Sequence, residues 1–321
     1  MKRRDFITLI GSAVGAWSSR AHAQQPAMRT IGFLHLGSEP VEIIEAFRSG
    51  LVAFGYTEGK NIQVLYRFAN GNADQLSGQT HELASLGATV IVTAGTTAIR
   101  AAHDAAPNVP IVAWAGAGPV TMGWAQTLTR PGGMITGVFE AASNAKQFEL
   151  LKEVRPQATT FGYLMNAANP GNPLFKRLAN DAARALGIKL EIIEVKDQSE
   201  IADAVDRMVS LGVEGLVIIN DPVLGSNLPT IVERARMHKL PSVGEEGFVN
   251  AGGLLGFSQD FLAMARRSAW HVDQILKGTA PGDLAAELAT EYRLIVNLRT
   301  AKELGITIPP SVLTRADEII E

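Results

Sequence analysis

Along residues 29–280, short β-branched apolar runs alternate with segments whose apolar residues recur every three or four positions. That alternation predicts an α/β fold with parallel sheets. The apolar runs place strands at 30–36, 61–68, 90–92, 110–114 and 135–139, with helices at 41–54, 74–86, 97–106 and 120–128. The pattern then restarts. Strands fall at 160–165, 189–195, 215–219, 242–244 and 254–257, and helices at 145–154, 173–186, 200–211, 228–238 and 261–276. Leu174, Leu178, Ala182 and Leu186 form the inward stripe of one of these helices, and Ser199 stands where it would cap the next. A strand at 292–297, a short helix at 300–304 and a last helix at 312–320 close the chain. Two βα repeats, roughly 30–139 and 145–257, imply two doubly wound parallel-sheet lobes joined near Gly137.

The stretch Thr89-Val-Ile-Val-Thr-Ala-Gly-Thr-Thr-Ala-Ile-Arg100 reads as a buried strand, a glycine turn and the first turn of a helix. Thr96 or Thr97 is placed to cap that helix. The same N-terminus, with its unpaired N–H groups, also suits a carboxylate or phosphate.

Ligands of doubly wound sheets bind beyond the carboxyl ends of the strands. Those ends carry Gly37-Ser38, Gly95-Thr96-Thr97, Ala115-Gly116, Asn166, Asn220-Asp221 and Glu245-Glu246. The first lobe offers small neutral donors and the second offers amides and acids, an arrangement that suits a small zwitterion. Each residue also has a purely structural use. Ser38 and Asp221 suit helix caps, Asn166 and Asn169 lie in a turn-rich run, and Glu245 or Glu246 suits a solvated face. Trp114 and Trp124 fit either ligand stacking or the core.

Composition narrows the class. Charged residues make up 19% of the 321 and hydrophobic ones 46%, which is ample core material for two domains. Lys2-Arg3-Arg4, the short apolar run 6–17 and Ala21-His22-Ala23 have the form of a cleaved export signal, 1–23, leaving Gln24 first. Arg3-Arg4-Asp5-Phe6-Ile7 fits the twin-arginine pattern, with an ordinary secretory signal as the alternative. Without 1–23 the chain loses four basic residues and one acidic one, so its net charge of −3 becomes −6. That balance argues against nucleic acid or an anionic membrane surface as partner. The chain has no cysteine, hence no disulfide, thiolate metal site or lipid attachment point. A soluble periplasmic product follows from these features.

Catalytic signatures are absent from the sequence: no Gly-x-Ser-x-Gly, no His-Glu-x-x-His, no phosphate-binding P-loop. The six histidines make no metal-ligand spacing, and Gly116-Ala117-Gly118 lacks the wider dinucleotide motif. No cofactor or metal is expected.

Longer runs carry a family resemblance. Gly32-Phe-Leu-His-Leu-Gly-Ser38, Ala46-Phe-Arg-Ser-Gly-Leu51, Gly55-Tyr-Thr-Glu-Gly-Lys-Asn61, Arg130-Pro-Gly-Gly133 and Phe248-Val-Asn-Ala-Gly-Gly-Leu254 resemble the ABC-transporter substrate-binding proteins of the tryptophan/tyrosine-binding type. So does the closing run Leu294-Ile-Val-Asn-Leu-Arg-Thr-Ala-Lys-Glu-Leu-Gly305, with Ile308-Pro-Pro310 and Arg315-Ala-Asp-Glu318. The resemblance implies a type I periplasmic-binding-protein fold with a hinge. Its first lobe would be 28–139 plus 261–290 and its second 140–260 plus 291–321, with crossings near 137–141, 256–261 and 291–297. It also implies that Gly95-Thr96-Thr97 and the loop after the first strand, Gly37-Ser38, hold a ligand carboxylate and that Asn166 and Asp221 complete the site from the other lobe; the strand ends add Ala115, Gly116 and Glu245 as candidates. Relatives often carry Asp-Pro where this chain has Gly118-Pro119, so one acid of the family pattern is missing.

The function expected is capture, not chemistry: a monomeric periplasmic receptor that hands a small carboxylate-bearing ligand, such as an amino acid, to ABC permease subunits in the inner membrane. The competing readings are an exported α/β enzyme, which needs an acid/base pair or nucleophile in the cleft, and a ligand-sensing receptor of the same fold.

Overall fold

The structure, a computed structural model, describes residues 28–141 and 144–321; the expected export signal lies outside them. The strands are β1 Arg29–His35, β2 Ile62–Phe68, β3 Ala88–Thr93, β4 Ile111–Ala113, β5 Ile135–Glu140, β6 Thr160–Asn166, β7 Lys189–Val195, β8 Gly215–Ile218, β9 Ser242–Gly244, β10 Leu255–Gln259, β11 Glu287–Ala289, β12 Tyr292–Asn297 and β13 Glu318–Ile320. The helices are α1 Val41–Ala53, α2 Gln75–Ser85, α3 Thr96–Ala105, α4 Asn144–Val154, α5 Asn172–Leu186, α6 Ile201–Ser210, α7 Pro222–Gly225, α8 Leu228–Met237, α9 Glu246–Asn250, α10 Phe261–Leu276, α11 Leu298–Leu304 and α12 Pro310–Leu313.

They build two sheets, one of order β11-β5-β4-β3-β1-β2 and one of order β13-β12-β10-β9-β8-β6-β7. Every pairing among the described residues is parallel except β10 with β12. β3 shows why the run Val90 to Val92 must be apolar without interruption. Val90 and Val92 pack into one cluster with Phe33, Phe47 and Met264, while Ile91 packs into another with Leu34, Ile99 and Phe139. Both faces of the sheet are covered, so the period-2 alternation of a half-exposed strand disappears.

The chain passes between the sheets three times: after β5, after β10 into α10, and between β11 and β12. α10 packs on the first sheet through Met264, Ala265 and Val272. The crossings are tied at one carbonyl. Gln259 Nε2 donates to Ala141 O at 2.7 Å and the Tyr292 hydroxyl donates to the same oxygen at 3.1 Å. The Tyr292 ring stacks on Phe257, with centroids 5.0 Å apart and planes 4° from parallel.

Three expectations fail for physical reasons. Residues 120–128 form turns instead of a helix, with Trp124 N and Ala125 N both donating to Pro119 O and Gly123 at φ +74°. The helix expected at 312–320 ends with α12, and the chain then adds β13 beside β12, where Asp317 Oδ2 accepts from Leu294 N at 2.7 Å. Ser199 lies inside a 3-10 turn, Gln198–Glu200, capped by Asp197, whose Oδ1 accepts from Ser199 N at 2.8 Å; α6 follows from Glu200 with no side-chain cap.

Candidate functional site

Between the two sheets lies a cavity of about 830 Å³. Eight of the ten expected residues line it: Ser38, Gly95, Thr96, Thr97, Ala115, Gly116, Asp221 and Glu245.

Its first wall starts at α3. Gly95 is the N-cap, with φ +79°, and no side chain caps the helix. The two threonines are therefore not caps. Thr96 Oγ1 accepts instead from Ala117 N at 3.2 Å, tying the helix start to the turn after β4. Thr97 Oγ1 has no hydrogen-bond partner among the described residues, and Thr97 lines the cavity. Gly116 sits at φ +130° and donates its N–H to Glu140 Oε1 at 3.1 Å. A Cβ there would meet only the movable Ile99 Cδ1 closely, at 2.8 Å, so it is the φ that calls for glycine.

Ser38 is not a cap either, since the N-cap of α1 is Pro40 and no side chain hydrogen-bonds there. The Ser38 carbonyl accepts from His35 Nδ1 at 3.1 Å. Burial lowers the His35 pKa, so the ring is neutral and Nε2 is left as an acceptor. His35 stacks on Trp114 at 6.1 Å, and both line the cavity. Trp114 is 5% exposed, and its Nε1 has no partner among the described residues.

The second wall is acidic. Asp221 is 1% exposed and caps α7. Its Oδ1 accepts from Asn166 Nδ2 at 3.0 Å and Val223 N at 2.9 Å, and its Oδ2 accepts from Asn169 Nδ2 at 2.9 Å. Desolvation raises its pKa even so. Asn166 thus stands behind Asp221 and does not line the cavity, whereas Asn169 does. Gly37 does not line it either. It lies where the walls meet, and a Cβ there would be 3.1 Å from Ser226 Oγ. Gly95 makes a similar approach to Pro222.

Two further carboxylates face the cavity. Glu140, which the strand pattern left unremarked, ends β5 and takes a second hydrogen bond from Asn220 Nδ2 at 3.1 Å. Desolvation pushes its pKa up to about 7, opposed by the Gly116 and Asn220 bonds and reinforced by Asp221. Glu245 is pushed up to about 7 by desolvation and then by Glu140, Asp221 and Glu246. No donor to its carboxylate occurs among the described residues. Glu246 points elsewhere, to an ion pair with Arg293 at 3.1 Å. Gln147, 4% exposed, donates Nε2 to Phe257 O at 2.9 Å, and its Oε1 is unpaired.

Apolar groups complete the walls. Leu174 and Leu178, read as core from their helical spacing, are half-buried on α5 and line the cavity beside Phe175 and Phe257. Trp124 packs instead against the core cluster of Leu34 and Phe139. No group of His, Asp and Glu suited to hold a metal occurs among the described residues.

Two α/β lobes, three crossings and a cavity lined from both sides define a ligand-binding protein of the type I periplasmic-binding-protein fold. The chain belongs to the ABC transporter substrate binding protein family, which residues 38–320 match. It is 24% identical over 263 residues to a tyrosine-binding protein of Clostridioides difficile (strain R20291), covering 82% of this chain and 76% of the relative. An ABC domain in complex with L-Trp from Streptococcus pneumonia superposes with a TM-score of 0.86 at 26% identity, over 92% of this chain and 100% of the other. A conserved domain protein from Vibrio cholerae O1 biovar eltor gives 0.86 and 26%, over 91% and 99%. The family is one of binding proteins, not enzymes.

Proposed function

We propose that this chain is the periplasmic receptor of an ABC uptake transporter, binding a small carboxylate-bearing ligand, an amino acid, between two closing lobes. The observation that carries this reading is the polarity of the cleft. The α3 N-terminus, with Gly95, Thr96 and Thr97, stands on one wall, and Asp221 and Glu245 stand on the other. A carboxylate is stabilised at the first and an ammonium at the second. The names of the tyrosine-binding and tryptophan-complexed relatives support an amino acid.

In this reading 28–139 with 261–290 move as one lobe and 140–260 with 291–321 as the other. A ligand touching both walls favours the closed form by its extra contacts there. The closed monomer then docks on permease subunits in the inner membrane. The basic, apolar and Ala-x-Ala segments of 1–23 support export, and the paired arginines support the twin-arginine route.

The test is a thermal-shift screen of the mature chain against amino acids, aromatic acids and sugars, followed by calorimetry. Stabilisation by amino acids is expected. Stabilisation by neutral sugars alone would overturn the assignment.

A further inference from the structure

The charge of the cleft goes further than its polarity. Glu140, Asp221 and Glu245 all line the cavity, and Glu39 and Glu42 stand at its rim; among the described residues no Lys or Arg lines it. Its one basic residue, His35, is held neutral by burial. The donors that reach the inner acids are neutral. Glu140 accepts from Gly116 N and Asn220, and Asp221 accepts from Asn166, Asn169 and Val223 N. Neutral amides satisfy hydrogen-bonding capacity without cancelling charge.

A second observation is independent of the acids. Gln147 is 4% exposed on the cavity wall, and its Oε1 is an acceptor with no donor. The His35 Nε2 and the Glu245 carboxylate likewise take no hydrogen bond from the described residues.

A simple zwitterion brings one positive group and one negative group. Its carboxylate suits the α3 N-terminus, but its single ammonium leaves most of the acidic wall uncompensated. Resting on the capture reading above, we infer that the ligand carries net positive charge: an amino acid with a second ammonium or guanidinium group, or an amino-acid derivative whose carboxylate is neutralised. The extra N–H groups then meet Glu140 and Glu245, while the carboxylate or its amide stands at the α3 N-terminus.

The test uses matched pairs that differ mainly in charge: L-arginine with L-citrulline, L-lysine with L-norleucine, and L-tyrosinamide with L-tyrosine. Each is titrated by calorimetry at pH 8 into the mature protein and into Glu245→Gln, whose melting curve confirms folding. In whichever pair binds, the cationic member is expected to bind at least tenfold tighter, and the advantage to shrink severalfold in Glu245→Gln. Equal or tighter binding of the neutral member, or an advantage that Glu245→Gln leaves untouched, would overturn the inference while leaving amino-acid capture standing. No binding by any of the six would overturn both.

Discussion

Asn220 Nδ2 donates to Glu140 Oε1 at 3.1 Å, joining the end of β5 in one sheet to the loop after β8 in the other. Glu140 stands at the boundary of the proposed lobes and still pairs with Ala289 in the first sheet, so in the capture reading the bond bridges the cleft beside the crossing and favours the closed form. A hydrogen bond to an ionised group contributes about 1.5–3 kcal/mol. Asn220→Ala is therefore expected to weaken ligand binding by roughly tenfold or more at pH 8. It should also raise the radius of gyration of the unliganded protein in small-angle scattering. If both stay at their wild-type values, the bond has no part in closure.

The Ala141 carbonyl gathers the three crossings by accepting from Gln259 and Tyr292. Tyr292→Phe keeps the stack on Phe257 and deletes one of those donors. The cost is about 1 kcal/mol. Amide hydrogen exchange is expected to quicken in β10 and β12 and to stay unchanged in β1 and β3. Uniform change along the chain would mean a general loss of stability and not a loosened crossing.

Gly137 sits within β5 at φ +127°, and a Cβ there would overlap the backbone of Ala113 on β4. Gly187, the C-cap of α5, has φ +64° and open space around it. Gly187→Ala then costs only the left-handed strain, about 1–2 kcal/mol. Gly137→Ala must push apart two paired strands, one running on to Ala115-Gly116 and the other ending at Glu140. Chemical denaturation is expected to rank Gly137→Ala well below Gly187→Ala. A reversed order would show that β4 and β5 yield easily.

Local pattern reveals some of these features and hides others. Covered strands such as β3 announce themselves by continuous Val and Ile, and α10 by its apolar stripe. The glycine turn Gly95-Thr96-Thr97 is legible because a strand end, a glycine and two hydroxyls coincide. Its chemistry is not, since Thr96 bonds to Ala117, 21 residues away. Val120, Trp124 and Leu128 recur every four residues and imitate a helix, while Pro119 and Gly123 turn the backbone instead. Glu140 was hidden by ending an apolar strand next to a crossing, although an acid closing Ile-Thr-Gly-Val-Phe is itself a usable signal. β13 has no local signature because its partner, β12, supplies the reason for it to be a strand.

The acidic wall makes stability depend on pH with a definite sign. Burial pushes the Glu140 and Glu245 carboxyls up to about 7 in the folded chain. An unfolded glutamate titrates near about 4.3. Between these values the folded chain holds protons that the unfolded chain has released. Stability is therefore greatest below the unfolded value and falls as pH rises through about 7. Glu245→Gln removes one of the two groups, so its unliganded melting temperature should match wild type near pH 4 and exceed it at pH 8. An excess of roughly 2 °C or more is the order that about 1 kcal/mol gives in a chain above about 150 residues. A cationic ligand reverses the slope, because it needs the carboxylates charged, so affinity should rise over the range in which the free protein weakens. Melting curves from pH 4 to 8.5, with and without ligand, check both signs. Parallel curves for wild type and Glu245→Gln would remove Glu245 from the acidic wall's charge.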